Sequence, residues 1–175
     1  MTKLMHSFAI LSALAAFGLT SGAALADKVK DSGSMDATFT KRDLQPIPDQ
    51  DGHALIFSEA SGTSANPGGL LDGFQVTVRD FVDVSNGSGP QKGYVIYTKD
   101  ADQQVVKIDG MVATTMKDGQ PSVTFKGDWE IVGGQGALAG LEGEGTYSGY
   151  FTAENAFHVD WEGTRSLASG AVAKQ

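Results

Sequence analysis

The 175-residue chain contains no cysteine, which excludes disulfides, a thiolate nucleophile and any cysteine-ligated metal. Basic residues are scarce: 13 Lys and Arg stand against 21 Asp and Glu, a formal charge of −8. Without a basic face the chain has no electrostatic footprint for nucleic acid. Histidine is scarce too. Beyond the first residues there are only His53 and His158, in no zinc spacing, so no metal site is expected. Asp100 and Asp102 resemble the start of a calcium loop, but the sixth-position Gly and the closing Glu are missing. No Gly-x-Ser-x-Gly occurs, and Gly134-x-Gly136-x-x-x-Gly140 misses the dinucleotide fingerprint. The expectation is therefore no cofactor. Long apolar runs are absent except for one, near the start.

That run, Phe8 to Leu19, follows the basic Lys3 and precedes Ala24-Leu25-Ala26, the small-x-small pattern of a signal-peptidase site. It is shorter than the ~20 residues a helix needs to cross a bilayer. Residues 1–26 are thus expected to be a signal peptide, giving a periplasmic or secreted protein with no integral membrane span after leader removal. Segment 27–34 is polar and 169–175 is small and featureless, so both are expected to fray. What lies between, 35–168, is expected to be one domain. Asn86-Gly87-Ser88 has the form of a glycosylation sequon but reads as a tight turn.

Glycine is abundant, with 23 residues, as suits a turn-rich β protein. From Met35 onward, segments of period two alternate with Gly, Asp, Asn and Pro clusters. The spacing predicts eight strands, near Met35–Lys41, His53–Ser61, Gly73–Ser85, Gln91–Lys99, Val105–Met116, Ser122–Val132, Gly145–Ala153 and Ala156–Leu167. Short links such as Asp100-Ala101-Asp102 and Glu154-Asn155 make neighbours antiparallel. The fold class is all-β: a closed eight-stranded antiparallel barrel, the size that either fills with side chains or holds one small ligand.

Phe125-x-x-Asp128-Trp129-Glu130 recurs as Phe157-x-x-Asp160-Trp161-Glu162. Each copy places its aromatics on one strand face and its carboxylates on the other, the ordinary pattern of a half-buried strand. Two acids break such patterns. Glu59 shares a face with Leu55 and Phe57, and Asp80 with Val76, Val78, Val82 and Val84. A carboxylate inside a barrel is costly unless partnered, so its pKa rises and it becomes a candidate general acid or base. The competing reading is structural, with these acids at a rim or bulge or paired with Arg79 or Arg165. Tyr94, Tyr97, Trp129, Tyr147, Tyr150 and Trp161 are candidates for a ligand wall, each with an apolar body and a polar tip.

The stretch Phe125 to Tyr147, FKGDWEIVGGQGALAGLEGEGTY, resembles the allene oxide cyclase barrel superfamily, which includes plant dirigent proteins and exported bacterial proteins of unknown role. The core of the resemblance is the glycine set Gly133, Gly134, Gly136, Gly140, Gly143 and Gly145. Weaker matches run through Gly52-His53-Ala54-Leu55, Ser58-Glu59-Ala60, Asp72-Gly73, Gly89-Pro90, Gly93-Tyr94 and Asp160-Trp161-Glu162-Gly163. The resemblance implies a barrel whose cavity binds an apolar or phenolic molecule and cyclises it, or holds a reactive intermediate in one orientation, without a redox cofactor. The relatives' catalytic groups do not align with this chain, so Glu59 and Asp80 rest on the face analysis alone.

Three functions compete: a cofactor-independent isomerase, cyclase or stereo-directing protein; a non-catalytic binder of a small apolar or aromatic molecule; and a structural or envelope-associated barrel with a filled interior. The partner expected is a small apolar or aromatic molecule, and self-association into a homo-oligomer stays open.

Overall fold

The alternating segments form strands that pair in chain order. The structure, a computed structural model, describes residues 28–167. The strands are β1 (Val29–Pro46), β2 (His53–Ala65), β3 (Gln75–Ser85), β4 (Gly89–Lys99), β5 (Asp102–Lys117), β6 (Gln120–Gln135), β7 (Leu141–Ala153) and β8 (Ala156–Leu167). Each is antiparallel to the next, and β1 closes on β8, so the eight strands make one barrel without a free edge. The helix among the described residues is a single 3-10 turn, Gly136–Leu138, at the end of β6. The signal peptide expected over 1–26 and the tail expected over 169–175 lie outside the described residues.

The beginning of the barrel differs from expectation. Residues 29–34, expected to fray, are strand: Val29 pairs with Arg165 and Ser34 with Asp160 across the closing seam. Their inward positions are Asp31 and Gly33 rather than apolar residues. A search for apolar periodicity therefore passes over them, although Asp31 holds an ion pair inside.

The aromatic repeat packs as its alternation predicts. Phe125 and Phe157 meet edge to face at 5.7 Å, and Trp129 and Trp161 do so at 6.2 Å, all buried inside. Asp128, Glu130, Asp160 and Glu162 are exposed outside. The Trp129 indole lies along the wall over Gly145 and Gly163, where any Cβ would collide with its ring. Its Nε1 donates to the carbonyls of Thr146 and Glu162, each at 3.1 Å. Part of the glycine abundance thus serves to seat indoles against the wall. At the end of β6, Gly136 takes φ +63° in the turn to β7, with its Cα side pressed against Asp102.

The ends of the barrel differ. The floor, where β1 begins and β8 ends, is closed by the 66–74 loop and the 3-10 turn, which drive Leu71 and Leu138 inward to 0% and 3% exposure. Asn66 staples that loop. It donates to Asp31 and to the Ser32 carbonyl, and accepts from the Leu71 amide at 2.9 Å. The mouth carries Phe39, Arg42, Thr114, Val123 and Phe151, all partly or fully open to solvent.

Candidate functional site

Between floor and mouth lies a cavity of about 230 Å³, walled largely by apolar side chains such as Val78, Val95, Val106, Ile108, Phe125 and Val159. Asp80 lies in this wall. β3 holds it inward between Val78 and Val82, opposite Ser58 on β2, and most of its surface is buried. Its two oxygens accept hydrogen bonds from Ser58 Oγ and from Gln91 Nε2. Gln91 Oε1 in turn accepts from the Tyr147 hydroxyl at 3.1 Å, so Tyr147, Gln91, Asp80 and Ser58 form one chain along the wall. Burial pushes the Asp80 carboxyl above its ordinary value, against the opposing pull of Ser58, Gln91 and the Arg42 charge. Both donors to Asp80 are neutral, so the carboxyl is solvated by the wall rather than neutralised by it.

The interior chain has a simple chemical capacity. Gln91 is oriented by having an acceptor at one end of its amide and a donor at the other. Each Asp80 oxygen uses one lone pair on its donor and keeps another for the cavity. The carboxyl can thus offer a proton to a bound molecule or take one from it, in a site largely shielded from water. Burial also raises the Tyr147 hydroxyl, with the Asp80 charge adding to the effect, so Tyr147 stays a neutral donor.

Of the residues expected on the ligand wall, Tyr97, Trp129, Tyr147 and Trp161 line the cavity together with Asp80. Tyr97 is almost fully buried, and burial pushes its hydroxyl up to about 12. Tyr94 and Tyr150 do not line it; both are 50% exposed on the outer surface. The reason is spacing, since three residues along a strand reverse the face and Tyr94 and Tyr150 stand three from the inward Tyr97 and Tyr147.

Glu59 is also outside, not near Asp80 in the interior. It forms a surface ion pair with Arg79 at 2.7 Å, which holds its carboxyl below the ordinary value. The alternation of β2 misleads because this sector of the outer wall is itself apolar. Phe57 and Phe81 stack on the outside at 5.9 Å, while the inward set is Ala54, Ile56, Ser58 and Ala60.

Several polar residues have no strong signal in the sequence: Ser58, Gln91, Gln104 and Arg165 inside, and Arg42 at the mouth. Arg165 forms neither of the pairings considered for it and sits at the floor. It donates to Asp31 and to Gln104 Oε1, with its guanidinium 5.1 Å from the Trp129 ring and 5.3 Å from the Trp161 ring. Inward alternation would have flagged Ser58 and Gln91, each opposite or beside Asp80 in the ladder. Ser64 Oγ, Gln104 Nε2 and Trp161 Nε1 are buried without a partner among the described residues.

Fold and site together define a closed eight-stranded antiparallel barrel with an interior cavity and one carboxylate in its apolar wall. No family model matches the chain, and no curated protein does. Among solved structures the chain is similar to two pterocarpan synthase dirigent proteins. PsPTS1 is 12% identical over 82% of this chain and 97% of that one, with a TM-score of 0.46. GePTS1 is 10% identical over 90% of this chain and 98% of that one, also at 0.46. The barrel is defined here by its own strand pairing rather than by these likenesses.

Proposed function

We propose that the protein is exported and binds one compact apolar or aromatic molecule inside its barrel, with Asp80 as the group that exchanges a proton with it. The observation that carries this reading is an unfilled space of about 230 Å³ whose apolar wall contains a carboxyl held only by neutral donors. A barrel serving only as structure gains nothing from that arrangement, since a valine at position 80 would pack like its neighbours at lower desolvation cost. A cavity of ~150 Å³ is enough for benzene, so this one has room for a substituted ring. The chemistry such a site supports is cofactor-independent isomerisation or cyclisation, in which the wall orients the substrate and Asp80 moves a proton. The same wall also suits a protein that holds a reactive molecule in one orientation while it closes on itself.

The test is saturable binding of the neutral probe N-phenyl-1-naphthylamine, followed by its fluorescence. Wild type should bind it with a blue-shifted emission, and Val95→Phe, which fills the cavity, should lose binding while keeping its β-type circular dichroism. An absence of saturable binding, or equal binding by the filled variant, would reject the cavity as the site. Export is tested separately: the intact mass of the protein recovered outside the cytoplasm should correspond to a chain starting at Asp27.

A further inference from the structure

Two cations reach the cavity wall, Arg42 and Arg165, and they differ in what they already hold. Arg165 has its charge matched: Nε donates to Asp31, Nη1 donates to Gln104, and two indoles lie beside the guanidinium. Arg42 has no carboxylate partner among the described residues. Its one hydrogen bond runs from Nη1 to the main-chain carbonyl of Glu154 at 3.5 Å, the outer limit for such a bond. The other two arginines, Arg79 and Arg165, each hold a carboxylate.

Its position is set by the backbone. A β-bulge between Phe39 and Lys41 inserts Thr40 as an extra residue in β1, so Phe39 and Arg42 both face the interior. Without the bulge, strict alternation from Phe39 would aim Lys41 and Asp43 at the mouth instead. The guanidinium is then held 4.7 Å from the centre of the Phe39 ring and 5.9 Å from that of Phe151. Contact with these rings restrains the guanidinium and leaves donors on its edge for an acceptor.

We propose that Arg42 is the anchor for an organic anion: an aromatic carboxylate of one or two rings, with its ring system in the cavity and its carboxylate at the mouth against the guanidinium. This rests on the reading of the cavity as a ligand site and specifies the ligand's class. A guanidinium edge matches a carboxylate in paired hydrogen bonds, so the charge and shape at the mouth select this headgroup. A space of about 230 Å³ suits a compact ring system better than a long alkyl chain. Orientation follows from the charges. Asp80, deeper in the wall, disfavours a second carboxylate beside it, whereas Arg42 attracts one, so the anionic end stays outward and the rings point toward Asp80.

The experiment is calorimetric titration of 2-naphthylacetate and its neutral isostere 2-naphthylacetamide into wild type, Arg42→Gln and Arg42→Lys. Wild type should bind the acid about tenfold more tightly than the amide, the scale of one charge-assisted carboxylate contact. Arg42→Gln should bring the acid down to the amide's affinity and weaken the amide far less than the acid. Arg42→Lys should recover part of the difference, and added salt should weaken only the acid. Equal binding of acid and amide by wild type, or an equal loss of both in Arg42→Gln, overturns the proposal. So does failure of both naphthyl compounds to bind a protein that still binds N-phenyl-1-naphthylamine. If that neutral probe also fails, the cavity reading falls and this inference with it.

Discussion

At the floor of the barrel Arg165 is 5% exposed, bound to Asp31 and Gln104 with two indoles beside it; at the mouth Arg42 is exposed and has two phenylalanine faces but no carboxylate partner among the described residues. The same side chain closes one end and equips the other. The difference lies in the company each keeps. The floor brings Asp31 of β1, Asn66 and Leu71 of the 66–74 loop and Gln104 of β5 together around a buried arginine whose charge is already matched by a carboxylate. The mouth is assembled around a bulge and a turn, with its cation still free to act.

The largest expected effect separates these two arginines directly. Arg165→Met leaves the Asp31 carboxylate, 11% exposed, without its cation, and should lower unfolding free energy by about 3–5 kcal/mol in urea denaturation. The double variant with Asp31→Leu should recover most of that loss. Arg42→Gln should change stability by no more than about 0.5 kcal/mol, as an exposed substitution away from buried networks. Comparable losses from the two single variants would erase the distinction between the ends.

Next in size is the tight wall above the floor. Gly163→Ala puts a methyl group against the Glu144 carbonyl and the Trp129 ring, and should cost about 1–3 kcal/mol as an overpacked site. Quenching of Trp129 fluorescence by acrylamide should rise in the same variant. An unchanged melting temperature would mean that the indole can be displaced freely.

Asp80→Asn, midway between the ends, should alter stability by less than about 1 kcal/mol at neutral pH, because an amide keeps the shape and can still accept from Ser58 or Gln91. Its signature is in the pH dependence. Burial raises the folded-state pKa of Asp80, so the native protein holds the proton more tightly than the unfolded chain. The associated stability is fully present below the unfolded value of 3.8 and is lost as pH rises through the folded value. The asparagine variant should lack that portion of the slope in acid-to-neutral denaturation series.

The smallest effect belongs to the partly buried histidine clamp beside the mouth. His53 lies between Asp49 at 2.5 Å and Asp83 at 2.8 Å, and those two carboxylates raise its pKa. Its contribution is present below 6.5 and is lost as pH rises through the raised value; His53→Asn should flatten that slope in melting temperature.

Period two, turn chemistry and glycine content made the barrel and most strand positions legible without a structure, because each is a local property. The FxxDWE repeat told correctly which aromatics face inward. Asp80 was legible for the same reason, as one acid among the aligned valines of β3. Glu59 was not, because Leu55 and Phe57 make the outer face of β2 look like an inner one. Tyr94 and Tyr150 could have been set outside by counting three residues from Tyr97 and Tyr147. The first turn of the chain into strand was hidden because Asp31 and Gly33 fill its inward positions.

What the sequence determined by itself is the set of alternating strands, their antiparallel hairpins and the side of the wall on which each aromatic of the repeat lies. Only the tertiary structure decided which partners meet inside: Ser58 and Gln91 with Asp80, Tyr147 with Gln91, and Asp31 with Arg165 across the closing seam. It also decided that a bulge near Thr40 turns Arg42 toward the mouth. The physical reason is range. Alternation and turns depend on residues a few positions apart, whereas closure of the barrel joins β1 to β8 and sets contacts between residues more than a hundred positions apart, such as Asp31 and Arg165.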